Sequence, residues 1–370
     1  MRLFLAIATD SSLLDVVALR ALAGGDDQVL VITDAYARER GQARRFMASL
    51  QRLSLIAREV VVQDWNPATI DAAMQEAVKP ALGAEGRPED VQLLLIAGRT
   101  HDWALLQAVL TKLLKKAGVP LRGISVDRRP PCIRISNLTD PLASDGNQRI
   151  YLADLPAEKR LGLEDVLAVR GYARTRGSKV EPQGRLPAGT IAGSGDGFET
   201  YVLSAVRKAL TSSPLGLYVT ELWCGVEVTE AGAKVILTEF DALLLACDGS
   251  VVHFECKVGK ASDMQKKVFQ MRRIFTTESQ IALCRNLLNS PTAQQVADTR
   301  RALKHQFENL GHFGLVLAST NLPHDMPVQD GEPSVLQGIV TVLEKAWQPR
   351  TPAPAGAIRS ELENALTATK

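Results

Sequence analysis

The chain has 370 residues and a formal net charge of +2. This length predicts two domains, and the near-neutral charge excludes a histone-like polycation, so any contact with nucleic acid must be local. The five cysteines are odd in number and form no Cys-x-x-Cys pair, which argues against a zinc ribbon or a disulfide framework and indicates a reducing cytoplasm. The sequence shows no signal peptide and no apolar stretch long enough to span a bilayer, so we expect a cytoplasmic protein without a membrane partner.

Apolar runs alternate with helical patterns through the first domain, which we place at residues 1–155. The runs lie at 3–8, 29–32, 57–63 and 91–97, and each is followed by a helical pattern. Continuous apolar strands alternating with helices are typical of a parallel sheet that is covered on both faces. The sequence therefore predicts an α/β protein whose first domain is a Rossmann-like, doubly wound parallel sheet.

Polar residues follow two of these predicted strands. In doubly wound sheets, ligands bind beyond the carboxyl ends of the strands. Small hydroxyl side chains, a glycine and an arginine suit phosphate or ribose, although N-capping is an alternative role for the serines. No Gly-x-Gly-x-x-Gly follows the first strand, which disfavours NAD or FAD. The candidate ligand-binding residues are Thr9, Asp10, Ser11, Ser12, Gly98, Arg99 and Thr100.

The amino-acid composition changes in the middle of the chain. Residues 156–190 are rich in Gly, Pro and Arg, which predicts a linker, and a second domain is expected at 191–323.

A glycine-rich loop at 193–197 leads into a helical pattern that places Glu199 in the first turn, where a carboxylate suits the helix dipole. The loop lacks the Gly-Lys-Ser/Thr ending of a nucleoside triphosphatase.

Residues 238–257 read as two apolar strands joined at Asp248-Gly249, a strong hairpin signal. If the loop is the three residues 247–249, with Gly249 at positive φ, Asp241 lies opposite Glu255 and Lys257 shares their face. A two-residue loop would instead pair Asp241 with Cys256, and the three charged side chains would no longer lie together. The side chain of Cys256 should point to the opposite face, into the core.

Two carboxylates and an ammonium on one face suggest metal chemistry. Mg²⁺ and Mn²⁺ prefer oxygen ligands, and the predicted metal ligands are Asp241, Glu255 and the backbone carbonyl of Cys256. Such a cation polarises a phosphodiester and lowers the pKa of bound water, while Lys257 would steady the attacking water or the phosphate charge. The alternative is a structural ion pair at a sheet edge, with Lys257 balancing Glu255.

The order Glu199, Asp241, then Glu255-Cys256-Lys257 resembles the PD-(D/E)xK nuclease superfamily over residues 190–320. The resemblance implies a restriction-endonuclease-like α/β domain with Glu199, Asp241, Glu255 and Lys257 as catalytic residues. The proline that gives the motif its name is absent before Asp241.

A helical pattern over 264–273 follows the motif and carries a cationic face, with Gln270 as a candidate helper residue. These cations would follow a phosphate backbone, although a solvated charged face is the alternative. The cations of the motif and this segment are Lys257, Lys260, Lys266, Lys267, Arg272 and Arg273.

Taken whole, the chain resembles the CRISPR-ancillary nucleases that carry an N-terminal CARF domain. Residues 193–201 match their glycine-aromatic-Glu-x-Tyr helix start, and residues 98–101 stand where many CARF domains have Gly-Gly-Thr-Lys, departing at Arg99 and His101. The resemblance implies a homodimer that binds cyclic oligoadenylate, usually cyclic tetra-adenylate, across its two CARF domains. It further implies cleavage of DNA, RNA or both with Mn²⁺ or Mg²⁺.

Two other functions remain open from the residues alone. One is a nuclease without a sensor, such as a repair or junction-resolving enzyme, whose first half docks a protein. The other is a ligand-responsive regulator that binds nucleic acid without cutting it. Residues 324–370 are expected to form a helical tail that serves packing or dimer contact, with helices at 335–347 and 358–368.

Overall fold

A computed structural model describes residues 1–9, 12–83, 87–128, 130–139, 147–181, 194–258, 264–275, 279–287, 292–307 and 313–347. The ligand-binding candidates Asp10 and Ser11, the cation Lys260 and the helix expected at 358–368 lie outside these residues. None of the helices in the described ranges has the length and apolar composition that a bilayer crossing requires. All five cysteines are free and buried.

The first half of the chain forms a seven-stranded sheet in the order β3-β2-β1-β4-β5-β6-β7. Strands β1 to β5 are parallel, which confirms the predicted Rossmann-like sheet, and β6 and β7 add an antiparallel edge that the sequence analysis did not foresee. The strands are β1 (Leu3–Ile7), β2 (Gln28–Thr33), β3 (Ile56–Val61), β4 (Val91–Leu94), β5 (Leu121–Arg128), β6 (Pro131–Asn137) and β7 (Gln148–Tyr151).

Helices cover both faces of this sheet. Alternate residues of β1 enter different cores: Phe4 packs with Phe46 on one side, and Leu5 packs with Leu106 on the other. Two helices, at 35–39 and 42–52, meet at Gly41, which adopts a left-handed φ of 67°. The helices are α1 (Leu13–Leu22), α2 (Ala35–Glu39), α3 (Gln42–Arg52), α4 (Pro67–Gly83) and α5 (Thr100–Ala117).

The segment predicted as a linker holds regular structure as far as residue 179. It forms α6 (Leu163–Arg170) and β8 (Tyr172–Lys179), and β8 pairs with the second sheet. The glycines that suggested a linker have other uses, because Gly171 ends α6 at φ 82° and Gly177 lies at a register shift of β8 with φ 126°. The linker prediction therefore mistook a helix cap and a strand irregularity for a flexible connection.

The second sheet has six strands in the order β13-β12-β11-β10-β9-β8. Its β8 to β11 are antiparallel, and β11 to β13 are parallel. Helices α7 and α10 pack on one face and α8 on the other. The added elements are α7 (Ser194–Ser212), β9 (Val219–Glu230), β10 (Ile236–Ala246), β11 (Val251–Val258), α8 (Met264–Phe275), β12 (Gln280–Asn286), α9 (Ala293–Phe307), β13 (Phe313–Ala318) and α10 (Val335–Trp347).

The two sheets share a hydrophobic core. One continuous cluster runs from Phe4 and Leu13 in the first half to Leu243 and Met271 in the second. Helix α6 joins them, because it packs against α3 on one side and α8 on the other. The predicted helix at 335–347 is confirmed as α10, whose Trp347 is almost fully buried against the second sheet.

Candidate active site

The β10–β11 hairpin has the predicted three-residue loop. Leu245 pairs with Val251 and Ala242 with Phe254, and continuing this register by one residue places Asp241 opposite Glu255. The backbone N–H of Gly249 donates to the carbonyl of Ala246 at 2.9 Å, and Gly249 has φ 77°. This is a turn closed by a left-handed glycine, the geometry that a three-residue hairpin loop requires.

Glu255 is fully buried and surrounded by nitrogen atoms. The ammonium of Lys257 lies 2.7 Å from Oε1, while Lys267 Nζ lies 3.4 Å and His253 Nε2 3.2 Å from Oε2. Although burial acts to raise the pKa of Glu255, the contact with His253 and the charges of Lys267 and Lys257 outweigh it and lower the pKa to about 2. Glu255 is thus held as a carboxylate inside the protein.

A kink in β10 places Asp241 between the two faces of the sheet. In a regular strand, residues two apart share a face, yet Phe240 packs on Phe275 of α8 while Ala242 packs in the core under α7. The strand pairing is also interrupted here, and the residue across from Asp241 on β9 is Gly225, with φ 58°. The kink lets one side chain reach groups on both faces.

Asp241 uses this position to contact β11. Its Oδ2 accepts the backbone N–H of Cys256 at 2.7 Å. Burial, then the negative charge of Glu255, raise the pKa of Asp241 to about 7, and Glu199 adds a smaller effect in the same direction. Two carboxyl groups therefore share one poorly solvated site, in which one is ionised and the other tends to keep its proton.

The structure brings the predicted residues Glu199, Asp241, Glu255 and Lys257 together at the central strands β10 and β11 of the second sheet. Glu199 lies in the second turn of α7 rather than the first, because the helix already begins at Ser194. Its charge acts on Asp241 and on the thiol of Cys256. The Cys256 side chain points into the core with Cys284, as predicted.

The residues fit a hard divalent cation in their chemistry. In the described ranges, no three His, Cys, Asp or Glu side chains form a group that would hold a metal by themselves. Mg²⁺ is commonly bound by one or two carboxylates, with waters and substrate phosphates completing its shell. Asp241 and Glu255 match that donor set, and a bound cation would offset both the burial and the Glu255 charge that raise the pKa of Asp241.

Sequence reasoning missed two contacts of Glu255. His253 is completely buried beneath the carboxylate, and strand alternation from Glu255 was the available signal. Lys267 was expected to follow a phosphate backbone; instead it turns inward to Glu255 and to the carbonyl of Glu239. Gln270 donates to the carbonyl of Leu237, which ties α8 to β10.

The predicted ligand loops of the first domain lie at one edge, because they follow the adjacent parallel strands β1 and β4. Ser12 folds back on Thr9, whose backbone N–H it accepts at 3.0 Å. Gly98 has φ 100°, and a Cβ there would stand 3.1 Å from Ile7, so glycine is required. Arg99 and Thr100 begin α5 and are exposed, while Asp102 caps the helix by accepting the Arg99 N–H at 3.3 Å.

A cavity of about 210 Å³ joins this edge to the second domain. Thr9 and Ser12 line it from the first domain, and Arg273 lines it from α8. Close by, Leu13 packs on the hairpin loop, since a Cβ added to Gly249 would stand 3.2 Å from Leu13 Cδ2. The first residue of α1, which follows Ser12 directly, is therefore in contact with the acid-bearing hairpin.

No protein-family model and no curated protein matches the sequence. Among solved structures, the chain is similar to VC1899 from Vibrio cholerae, with a TM-score of 0.62 at 14% identity over 94% of this chain and 99% of that one. It is also similar to Can2 from Sulfobacillus thermosulfidooxidans, solved with cyclic tetra-adenylate, with a TM-score of 0.57 at 13% identity over 94% and 97%.

A type III CRISPR defence DNA nuclease activated by cyclic oligoadenylate gives a TM-score of 0.52 at 17% identity. The match covers 95% of this chain and 52% of that nuclease, so the chain spans about half its length. At sequence identities this low, structural similarity shows a shared fold and nothing more. The resemblance stated from the sequence is confirmed at that level: this chain has the fold of Can2 and of a type III CRISPR defence nuclease.

Proposed function

We propose that the protein is a metal-dependent nuclease of type III CRISPR defence that cuts DNA, RNA or both when cyclic tetra-adenylate binds its first domain. The observation that carries the proposal is the pair Asp241 and Glu255, a partly buried carboxyl group opposite a fully buried one, with Lys257 at 2.7 Å from Glu255. A purely structural ion pair would not need the second carboxyl group, which is costly to bury.

Each residue has a distinct part in this proposal. Asp241 and Glu255 would hold Mg²⁺ or Mn²⁺, which when bound supplies a nucleophilic water and a polarised phosphodiester. Lys257 is 27% exposed at its side chain, so its ammonium can serve both Glu255 and a phosphate oxygen. Glu199 adds negative charge from α7 on the far side of Asp241. His253 and Lys267 hold the Glu255 carboxylate in place.

The first domain would be the sensor. Thr9, Ser12, Gly98, Arg99 and Thr100 lie at the edge where doubly wound sheets bind ligands, and Asp10 and Ser11 belong to the same loop in sequence. Their hydroxyl groups and the Arg99 charge suit the ribose and phosphate groups of a cyclic oligoadenylate. A homodimer, with the ligand held across two copies, follows from the family resemblance and is part of the proposal.

The proposed function is tested by a cleavage assay on matched DNA and RNA. The assay is run with and without cyclic tetra-adenylate, in Mn²⁺ and in EDTA. We expect cutting only with both ligand and metal. Glu255→Gln and Lys257→Ala should each lower the rate by orders of magnitude, since several kcal/mol of transition-state stabilisation are lost, and both should still bind the ligand.

The other two functions give different results in this assay. Cutting that needs metal but ignores cyclic tetra-adenylate would identify a nuclease without a sensor. Specific retention of nucleic acid with no product at any metal concentration would identify a regulator that binds without cutting.

A further inference from the structure

An exposed aromatic ring stands among cations on the outer face of α8. Phe269 is 67% exposed, the most exposed aromatic side chain in the described part of the chain. Residues three and four apart share a helix face, so Lys266, Arg272 and Arg273 begin on the same side of α8 as the ring. The helix contains four cations and no acidic residue. Phe269 is not part of the side of α8 that packs on the core. That side consists of nearly inaccessible residues, Val268, Met271, Ile274 and Phe275.

The same helix reaches the candidate catalytic acid. Lys267 contacts Glu255, and Gln270 is bonded to β10, so the position of α8 is fixed relative to the site. A helix with its side chains is about 10–12 Å across. Phe269 follows Lys267 by two positions, about 200° around the helix, so the ring stands on the side of α8 that faces away from Glu255.

We propose that Phe269 is a stacking platform for an unpaired base, and that the substrate segment that crosses α8 is single-stranded. This inference rests on the proposed nuclease function and specifies its substrate class. An aromatic face set among cations is the usual means of holding single strands, since the ring stacks on any base while the cations follow the phosphates. Bases inside a duplex are already stacked and cannot use the ring.

The charges favour this occupant over a second copy of the chain. In a two-fold symmetric contact the same patch meets itself, which would bring Lys266, Arg272 and their copies together. Arg273 is offset by Glu230 at the end of β9, but α8 supplies no acid to balance the others. Phosphate groups provide the missing negative charge.

Fluorescence anisotropy on the full chain tests the proposal, using a labelled mixed-sequence 20-mer as single strand and as duplex, with Ca²⁺ and cyclic tetra-adenylate present. Phe269→Ala should weaken single-strand binding about 5- to 150-fold and leave duplex binding nearly unchanged. Phe269→Trp should retain the affinity. Lys266→Ala should instead lower the slope of log affinity against log salt by about 0.7 on single strands.

Tyr36→Ala is the matched control, because Tyr36 is also an exposed aromatic beside an arginine, Arg40, but lies in the first domain. Equal single-strand affinity of Phe269→Ala and wild type overturns the proposal. So does a change in oligomeric state in Phe269→Ala alone, which would assign the ring to a contact between copies. A wild type that binds single strands but cuts nothing with Mn²⁺ and cyclic tetra-adenylate contradicts the nuclease function and leaves the platform standing.

Discussion

Asp241 and Glu255 face each other but favour opposite protonation states. Glu255 has three nitrogen neighbours, and its pKa is lowered to about 2. Asp241 accepts one backbone N–H, and burial together with Glu255 raises its pKa to about 7. The pair can bind a divalent cation only by releasing the proton on Asp241, so metal binding and pH are linked at this residue.

Asp241→Asn is expected to stabilise the metal-free protein above pH 7. Because the native pKa is raised, the aspartate loses stability as pH rises from about 4, its unfolded value, through about 7, whereas asparagine does not titrate. The difference should be on the order of 1–4 kcal/mol at pH 8 and vanish near pH 4. Thermal melting in EDTA at both pH values measures it, with the exposed Glu239→Gln as the control. A shift of the same size at both pH values would contradict this assignment.

His253→Phe should weaken both the fold and metal binding. The ring packs edge-on against Phe240 with centroids 4.8 Å apart, so phenylalanine keeps most of the packing but removes the nitrogen beside Glu255. We expect a loss of about 1–3 kcal/mol in stability and about 10- to 100-fold in Mn²⁺ affinity. Calorimetric titration and thermal melting measure the two effects. His253→Gln keeps a donor and should recover part of the affinity; if it behaves as the phenylalanine variant does, His253 acts through packing alone.

At the scale of elements, the β10–β11 hairpin was predictable and the kink in β10 was not. Asp248-Gly249 is a local signal for the hairpin, and the three-residue loop that opposes Asp241 and Glu255 is one of the two loop lengths that it allows. The kink lies where Asp241 stands across from Gly225 of β9, a residue on a different strand. No residue next to Asp241 in the sequence predicts the kink. For the same reason the local sequence of β8 predicts a linker, since its place in the sheet depends on pairing with β9.

Gly225→Ala tests whether the kink serves the site. Gly225 and Gly232 both have positive φ, 58° and 82°, and a Cβ at either would meet nothing closer than 4.0 Å. Alanine should cost each about 1 kcal/mol or more through backbone strain alone. Because Gly225 lies across from Asp241, only Gly225→Ala should also lower the cleavage rate, by at least tenfold. Melting temperatures and rates at saturating Mn²⁺ compare the two variants, and equal rates would show that the kink does not position Asp241.

At the scale of the molecule, two physical connections run from the proposed ligand edge of the first domain to the acids. Leu13 begins α1 directly after Ser12, which is bonded to Thr9, and packs on Gly249 in the hairpin loop. Helix α8 carries Arg273 into the cavity beside Thr9 and Lys267 to Glu255. The parallel sheet and the nuclease-like motif could be predicted from strand periodicity and residue order. These connections could not, because they are contacts between domains.

Leu13→Ala is expected to uncouple the domains. Removing the side chain opens space at the hairpin loop, so a movement of the ligand loop is no longer passed to β10 and β11. Coupling between two sites is typically worth about 1–3 kcal/mol, so the ratio of cleavage rates with and without cyclic tetra-adenylate should fall about 5- to 150-fold. Ligand affinity, measured by calorimetry, should change much less, since Leu13 is buried and faces the hairpin rather than the ligand edge.

Leu13→Met is the matched control, because methionine fills a similar volume and usually costs under about 1.5 kcal/mol. It should keep most of the activation. If Leu13→Ala leaves the activation ratio and the ligand affinity unchanged, the contact between α1 and the hairpin does not transmit ligand binding to the acids. The connection through α8 would then be the one to test, by Arg273→Ala, which breaks the ion pair with Glu230 and one wall of the cavity while leaving Lys267 on Glu255.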